Sequence, residues 1–549
     1  MFSLNQIKGL PNGISDFSKI IQKEYYYVDK TPLIEEIIQN GTEVTLFTRP
    51  RRFGKTLNMS MLQYFWDIHN AEANRKLFQG LHIESSPYFS EQGKYPVIFL
   101  SFKDLKVESY DMMLHSIQYA MATLFDKFHF LSKHLEDFNA MIFKKILFGE
   151  SNVIELQNAV KFLSKVLSQY YNTKTVILMD EYDTPILSAY EHGYYEEAIA
   201  FFRNFYSAAF KDNEYLQTGI MTGILRVAKE GIFSGLNNLA VYSILEEKYS
   251  SYFGLTEEEV EQALCYYAME YKLQDVKEWY DGYRFGKTEI YNPWSIINYI
   301  LHQKLESYWI NTSNNFLVYD LLEKANINIF EELHNVFQGK EIQKTIEYSF
   351  HFQDMTNPQE IWQLLVHSGY LKTEKSLGNH RYALKIPNQE IRSFFEKSFL
   401  NRFLGGVDMF HEMITALKEG KIEIFEKKLQ DILLTKVSYH DVGQEEKYYH
   451  NLVLGMILSM SKEYEIHSNL ESGYGRYDIS LAPKDKTKSG FILELKVAKS
   501  EEELEKKAKE ALEQIKNRKY DVDLKEKGYS ISRVGMSFFG KKVKIKYLE

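Results

Sequence analysis

The chain has 549 residues, 44% hydrophobic, 15% aromatic and 26% charged, with 10 Pro and 29 Gly. That content supplies packed cores and excludes collagen-like, low-complexity and wholly disordered classes, and at about 150 residues per domain the length predicts three or four domains. A formal net charge of -9 argues against a protein that coats nucleic acid by bulk charge, while leaving room for a local basic site.

A single cysteine, Cys265, cannot form an intramolecular disulfide, which favours a reducing compartment. The segment MFSLNQIKGLPNGISDFSKI lacks a basic stretch followed by an apolar one, and no run of about 20 uncharged apolar residues occurs. The expectation is a soluble, cytoplasmic protein with no membrane partner.

In chain order, residues 44–56 (VTLFTRPRRFGKT) predict a buried strand, a basic glycine-containing loop and a helix beginning near Leu57. Further buried strands are expected at Pro96–Ser101, Thr175–Met179 and Gln217–Thr222, separated by helical patterns at 111–127 and 153–170. Apolar runs alternating with helices predict a mostly parallel sheet covered on both faces, in a first domain at 1–245. From Thr256, a helix N-cap with Glu259 completing a capping box, a helix-rich middle domain is expected over 246–404. The last domain, 405–549, reads as two helices, a strand, a hairpin, a strand, a charged helix at 500–519 and a final strand.

Gly54, Lys55 and Thr56 match the end of the G-x-x-x-x-G-K-[ST] phosphate loop, in which backbone N–H groups and the lysine cradle phosphates and the hydroxyl holds Mg²⁺. Arg49 stands where the pattern has its first glycine. A second GKT, Gly286 to Thr288, follows no buried strand and is set aside. The strand VILMDE ends in Asp180, suited to the Mg²⁺ shell of a nucleotide, and Glu181, suited to polarising the attacking water. Thr222 at the end of the next strand is a candidate γ-phosphate sensor. Arg226 is a candidate for contacting a phosphate or a neighbouring subunit. Both residues also have ordinary structural explanations.

Near the C-terminus, the alternation in Tyr477–Leu481 sets Asp478 on the face opposite Tyr477, Ile479 and Leu481, and that in Leu493–Val497 sets Glu494 and Lys496 together. A turn symmetric about Lys486 makes the numbers of cross-strand partners sum to 972 and brings Asp478 opposite Glu494. Cβ atoms so opposed lie about 4.5–5.5 Å apart, close enough to share one divalent cation. Two such carboxylates repel each other unless a cation or proton lies between them, which suits Mg²⁺, and Lys496 can orient or deprotonate an attacking water. The product is a phosphodiesterase site, weighed against a plain solvated strand face. Glu446, with His450 four residues on, could border the metal, and Gln514 could bind substrate or orient Lys496. Residues 484–549 hold 18 Lys+Arg against 12 Asp+Glu, a local balance of +6 that leaves -15 elsewhere. A basic terminus suits a phosphate backbone.

The strings YYYVDKT, TRPRRFGKT, LMDEYDTP, TGILRVAKEGIFSGLNNL, FGLTEEEV, WYDGYRF, YNPWS, YWINTS, HSGYL, IPNQE, EKYYH, GYGRYD and LELK resemble, in this order, bacterial AAA-ATPase-like proteins with a C-terminal PD-(D/E)xK nuclease domain. The resemblance implies a P-loop ATPase, a helical region and a restriction-endonuclease-like fold. It implies ATP at Lys55, Thr56, Asp180 and Glu181, and Mg²⁺-dependent cleavage at Asp478, Glu494 and Lys496, with Glu446 as the helix acid. The family's own phosphate loop is similarly rich in arginine. Two functions follow as expectations. One is a nuclease acting on DNA and gated or positioned by the ATPase domain. The other is an ATP-driven switch or remodelling ATPase whose nuclease-like last domain binds partners or nucleic acid without cutting. Assembly into a homo-oligomer is compatible with either.

Overall fold

A computed structural model describes residues 7–227, 232–233, 236–310, 339–348, 360–395, 407–436, 446–457, 463–468 and 475–548, with a few short stretches between these runs. The chain divides into two compact units, Met1–Ala325 with Gly339–Ile391, and Asn326–Gln338 with Arg392–Glu549.

The first unit contains a parallel sheet of β1 (Val44–Thr48), β2 (Val97–Ser101), β3 (Thr175–Asp180), β4 (Leu216–Gly223) and β5 (Leu239–Tyr242). The spatial order is β2-β3-β4-β1-β5, and every neighbouring pair is parallel. β1 and β3 are buried at every position, as expected of continuous apolar strands covered on both faces. β2, β3 and β4 begin and end within one residue of the expected bounds; the short strand β5 was not anticipated. Helices Tyr110–Asp126 and Val153–Tyr171 fill the intervals, the second opened by a capping box between Asn152 and Glu155.

The helix after β1 starts at Lys55, two residues earlier than its apolar pattern suggested, because Gly54 takes a left-handed φ of 84° and ends the loop there. Lys55 and Thr56 therefore stand in the first turn of a helix, where unpaired N–H groups and the helix dipole favour an anion.

The region from 246 onward is rich in helices, including Glu257–Tyr266 with the expected Thr256–Glu259 capping box and Pro293–His302. It also holds a hairpin of β6 (Tyr283–Phe285) and β7 (Thr288–Ile290) with Gly286–Lys287 as its turn, so the second Gly-Lys-Thr does follow a short, mostly buried strand, contrary to expectation, but leads into another strand and not into a helix. A three-stranded antiparallel sheet pairs β8 (Ile342–Thr345), β10 (Arg381–Lys385) and β9 (Lys372–Gly378) in the order β8-β10-β9. Asn379 and His380 link β9 to β10, both with positive φ, as a two-residue hairpin turn requires. Asn-His is a poor signal for that turn, so the hairpin was not read from the sequence.

Glu390 fastens this region together from a fully buried position: Oε1 accepts from the Trp309 backbone N–H at 2.6 Å and Oε2 from the Ser295 hydroxyl at 2.8 Å. Burial pushes its pKa up to about 7, against the opposing pull of those two hydrogen bonds.

The second unit has a mixed sheet of β11 (Tyr464–Ser468), β14 (Ile479–Pro483), β15 (Gly490–Val497), β16 (Ile531–Phe539) and β17 (Lys542–Leu548), in that order, beside a small ribbon of β12 (Glu471–Ser472) and β13 (Gly475–Arg476). β15 and β16 are parallel and the other neighbours antiparallel. β14 and β15 pair Ile479 with Leu493, Ser480 with Ile492 and Leu481 with Phe491, so each pair sums to 972. The final segment is a hairpin of two strands rather than one, because the lysines of KVKIKYL alternate with apolar residues along β17. The charged helix is a turn at Glu501–Glu503 followed by an α-helix at Leu504–Asn517, which links β15 to β16.

Leu493 and Leu495 face a core shared with Tyr449, Val534 and Phe538, whereas Ile492 faces the other way, toward Ile515 and Tyr520. Glu494 shares the side of Ile492 and so looks toward the charged helix. That helix lies hard against β16: a Cβ at Gly535 would sit 2.4 Å from the Ala508 carbonyl oxygen and 2.6 Å from the Leu512 nitrogen.

Gly535→Ala should therefore lower the stability of the second unit by about 1–3 kcal/mol, read from its midpoint in chemical denaturation; an unchanged midpoint would contradict this packing. For Glu390 the sign is opposite to that of a salt-bridged acid. Its folded pKa of about 7 lies above the ordinary 4.5, so between these values the folded state holds a proton that the unfolded state has lost, and stability falls as pH rises. Glu390→Gln, whose amide can still accept from Trp309 and donate to Ser295, should flatten that slope in thermal melts. Equal slopes for the two proteins would contradict it.

Candidate functional site

Two groups of side chains stand where strand ends meet helices, one in each unit. In the first, the ends of β1, β3 and β4 lie together, which is where open parallel sheets receive ligands. Asp180, the last residue of β3, is buried. One oxygen accepts from the Thr56 hydroxyl at 2.7 Å and the other from the Thr222 hydroxyl. Burial raises the Asp180 pKa, neighbouring Glu181 adds to this, and the two hydroxyls and Lys55 oppose it. Thr222 thus holds Asp180 in place.

Glu181 has a φ of 56°, in the left-handed region that residues with a Cβ rarely adopt. Its carboxylate pairs with the Lys55 ammonium at 3.4 Å, and that ammonium also donates to the carbonyls of Arg49 and Pro50 at 3.1 Å. Arg49 itself turns inward. Its buried guanidinium donates to the carbonyls of Thr48 and Tyr242 at 2.9 and 2.7 Å and lies over the rings of Phe253 and Phe285. Burial draws its pKa down to about 9.

A cleft of about 500 Å³ opens over this group. Gly54, Lys55, Thr56 and Glu181 line it; Arg49, Thr222 and Arg226 are not among its lining residues. Four further cations line it as well, Arg51, Arg52, Lys103 and Lys106. Lys103 and Lys106 follow the end of β2, a position that a strand-by-strand search for basic loops would have flagged. Asp183 was also missed, although it lies three residues after Asp180 in DEYD. It is buried and accepts from the backbone N–H groups of Ile224 and Leu225 at 2.8 and 2.9 Å, fixing the exit of β4.

In the second unit, Asp478 immediately precedes β14, and its Oδ2 accepts from the Leu495 backbone N–H at 2.7 Å. Glu494 on β15 is buried, and its Oε1 accepts from the Lys496 ammonium at 3.2 Å and from the Gln514 side-chain amide. The Glu494 Oε2 is buried and has no partner in good hydrogen-bond geometry, while the Asp478 backbone N–H lies near enough to the carboxylate to pull its pKa down. Burial first, and then the Asp478 carboxylate, push the Glu494 pKa up to about 7; burial also raises Asp478.

Burial alone would lower Lys496, but the carboxylates of Glu494, Glu446 and Asp478 outweigh it, and its pKa is raised. Glu446 opens the helix Glu446–Ile457; its neighbouring charges are Lys496, Asp478 and His450. His450 Nε2 lies 3.1 Å from the Asp478 carbonyl oxygen and 3.2 Å from the Ser468 hydroxyl, so the ring faces the backbone of Asp478. Gln514 also donates to the Tyr520 hydroxyl at 3.2 Å, a link between helix and turn that the sequence did not announce.

The donors here are hard oxygens, and an unpartnered buried carboxylate oxygen is costly to leave bare. This set fits a hard divalent cation, held by Asp478 and Glu494 with Glu446 nearby. The set around Thr56 and Asp180 fits the cation that accompanies a nucleotide triphosphate. Among the described residues, no helix is long and apolar enough to cross a membrane.

Comparison with known proteins agrees with this division. Residues 11–233 match the model of a family described as predicted AAA-ATPase, and residues 444–548 match that of the PD-(D/E)XK nuclease superfamily. An "Uncharacterized protein in vnfD 5'region" of Azotobacter chroococcum mcd 1 is 23% identical over 551 residues, covering 97% of this chain and 96% of that protein. The chain thus unites an AAA-ATPase-like domain with a C-terminal PD-(D/E)XK nuclease superfamily domain.

Proposed function

We propose that the protein is a Mg²⁺-dependent nuclease acting on DNA, whose ATP-binding domain gates or positions a phosphodiesterase site at Asp478, Glu494 and Lys496. The observation that carries this reading is the buried Glu494 oxygen without a partner in good hydrogen-bond geometry, set against a second carboxylate whose charge raises its pKa. A bound Mg²⁺ would supply charge for the scissile phosphate and a more acidic water.

The chain's own groups do the rest. Gln514 fixes the orientation of Glu494 through its Oε1, leaving Oε2 as the available donor atom. Lys496, whose raised pKa keeps it protonated near neutral pH, donates toward the attacking water or the phosphate and offsets developing negative charge. His450 holds the backbone of Asp478. The basic balance of residues 484–549 favours a polyanionic substrate.

In the first unit, Gly54, Lys55 and Thr56 receive the phosphates, Asp180 orients the Thr56 hydroxyl, and Glu181 is the group to polarise water. Thr222 acts through Asp180. The Lys55–Glu181 pair gives the acid a resting partner until a phosphate competes for the ammonium.

Incubated with plasmid and linear DNA in Mg²⁺, the wild-type protein should produce fragments. Asp478→Ala and Lys496→Ala should each slow cleavage by about 100-fold or more, and Lys55→Ala should remove the effect of added ATP. Variants that cut as well as the wild type would overturn the site assignment. Binding of DNA without cleavage in any divalent metal would favour an ATP-controlled switch instead.

A further inference from the structure

Three acids that neither proposed site uses meet within the first unit, drawn from the strings FGLTEEEV and WYDGYRF and from β7. Glu257 opens the helix Glu257–Tyr266, Asp281 is the C-cap of the helix Leu273–Tyr280, and Glu289 is the central residue of β7. An antiparallel bridge between Leu255 and Tyr291, with N–H to carbonyl distances of 3.0 and 2.7 Å, brings the end of β7 beside the start of the first helix. One carboxylate oxygen from each acid then lies within 4.8 Å of the other two.

The charges around these acids do not balance. Lys277 Nζ pairs with Glu257 Oε1 at 2.6 Å, the one ion pair on the three acids among the described residues. Arg284, directly across the hairpin from Glu289, donates instead to the Glu374 carbonyl, and Lys372 pairs with the Glu374 carboxylate at 3.1 Å. Three carboxylates against one ammonium leave two negative charges. Burial raises the Asp281 pKa, the Gly282 N–H opposes this, and Glu289 and Glu257 add to it while Lys372 pulls it down.

A group of acids at a surface is common and needs no ion, but Tyr291 sets this one apart. Its side chain is 0% exposed, and its hydroxyl oxygen is buried with no partner in good hydrogen-bond geometry. The hydroxyl faces the acids: after burial, the charges of Asp281, Glu257 and Glu289 raise its pKa, and Asp281 comes near as an acceptor without completing the bond. A buried oxygen left bare is costly, and a cation among the three acids would take its lone pair.

We infer that Glu257, Asp281 and Glu289, with the Tyr291 hydroxyl, form a Ca²⁺ site separate from the phosphate loop and from Asp478 and Glu494. Mg²⁺ is usually held by one or two carboxylates together with waters and a substrate phosphate, whereas three carboxylates from the chain itself, partly open to water, suit the larger and more flexible shell of Ca²⁺. The ion would tie both helices to the β6–β7 hairpin, whose Phe285 lies under the Arg49 guanidinium. Ca²⁺ would thereby brace the wall against which the first position of the phosphate loop is packed.

The test titrates Ca²⁺ calorimetrically into the nucleotide-free, full-length protein and compares melts with and without the ion. The wild type should show a saturable site that persists in Glu494→Gln, and Ca²⁺ should raise its melting temperature. Glu289→Gln, at an exposed position, should weaken that site about tenfold or more and lose the rise in melting temperature. Tyr291→Phe, which keeps the buried ring, should weaken it about threefold or more. Binding that Glu289→Gln or Tyr291→Phe leaves unchanged, or that Glu494→Gln abolishes altogether, would overturn the site, as would a wild-type protein that binds no Ca²⁺.

Discussion

Taking a carboxylate out of water costs several kcal/mol unless hydrogen bonds, a cation or a proton replace the lost hydration. Both sites of this protein are built on that constraint. Asp180 meets it with two hydroxyls, Thr56 and Thr222, drawn from the helix after β1 and the end of β4. Asp478 meets it in part with a backbone N–H from β15. Glu494 meets it on one oxygen only. The difference separates a carboxylate already satisfied by its protein from one that still requires a partner.

The strand ends explain why these acids can be buried at all. A parallel strand that carries apolar residues on both faces can end in an acid only where the next loop brings donors, and the neighbouring ends of β1 and β4 bring them to Asp180. In the second unit, the antiparallel turn sets the register and the charged helix supplies the amide that orients Glu494. Gly535 lets that helix approach β16 closely enough for Gln514 to reach the acid, so packing between helix and sheet and the electrostatics of the site are one problem.

Much of this was legible in the sequence because the signals were local and periodic. Period-two alternation and a turn centred on Lys486 gave the pairing of β14 with β15, and with it the meeting of Asp478 and Glu494, although Tyr477, which precedes the strand, packs with Ile492 and not, as the alternation implied, with Ile479 and Leu481. Continuous apolar runs marked β1 to β4. What escaped had a non-local cause. Arg49 stands at a phosphate-loop position but, besides the neighbouring Thr48 carbonyl, spends its guanidinium on the Tyr242 carbonyl and on the rings of Phe253 and Phe285, which no spacing rule connects to it. Trp294 lies about 240 residues from the loop whose arginine it meets, in a motif that reads simply as a helix start. The Asn379–His380 turn escaped because its residues are weak formers of the left-handed conformation it needs, whereas the alternation of β17 was legible and only its separation from β16 at Gly540–Lys541 carries a short signal.

The central claim is that Asp478 and Glu494 form an incomplete site for a divalent cation. Its most direct test is calorimetric titration of Mn²⁺ into the nucleotide-free, full-length protein at neutral pH, for the wild type, Glu494→Gln and Lys55→Ala. The account predicts a saturable site in the wild type and in Lys55→Ala that disappears in Glu494→Gln, although that variant folds. Unchanged Mn²⁺ binding by Glu494→Gln would contradict it.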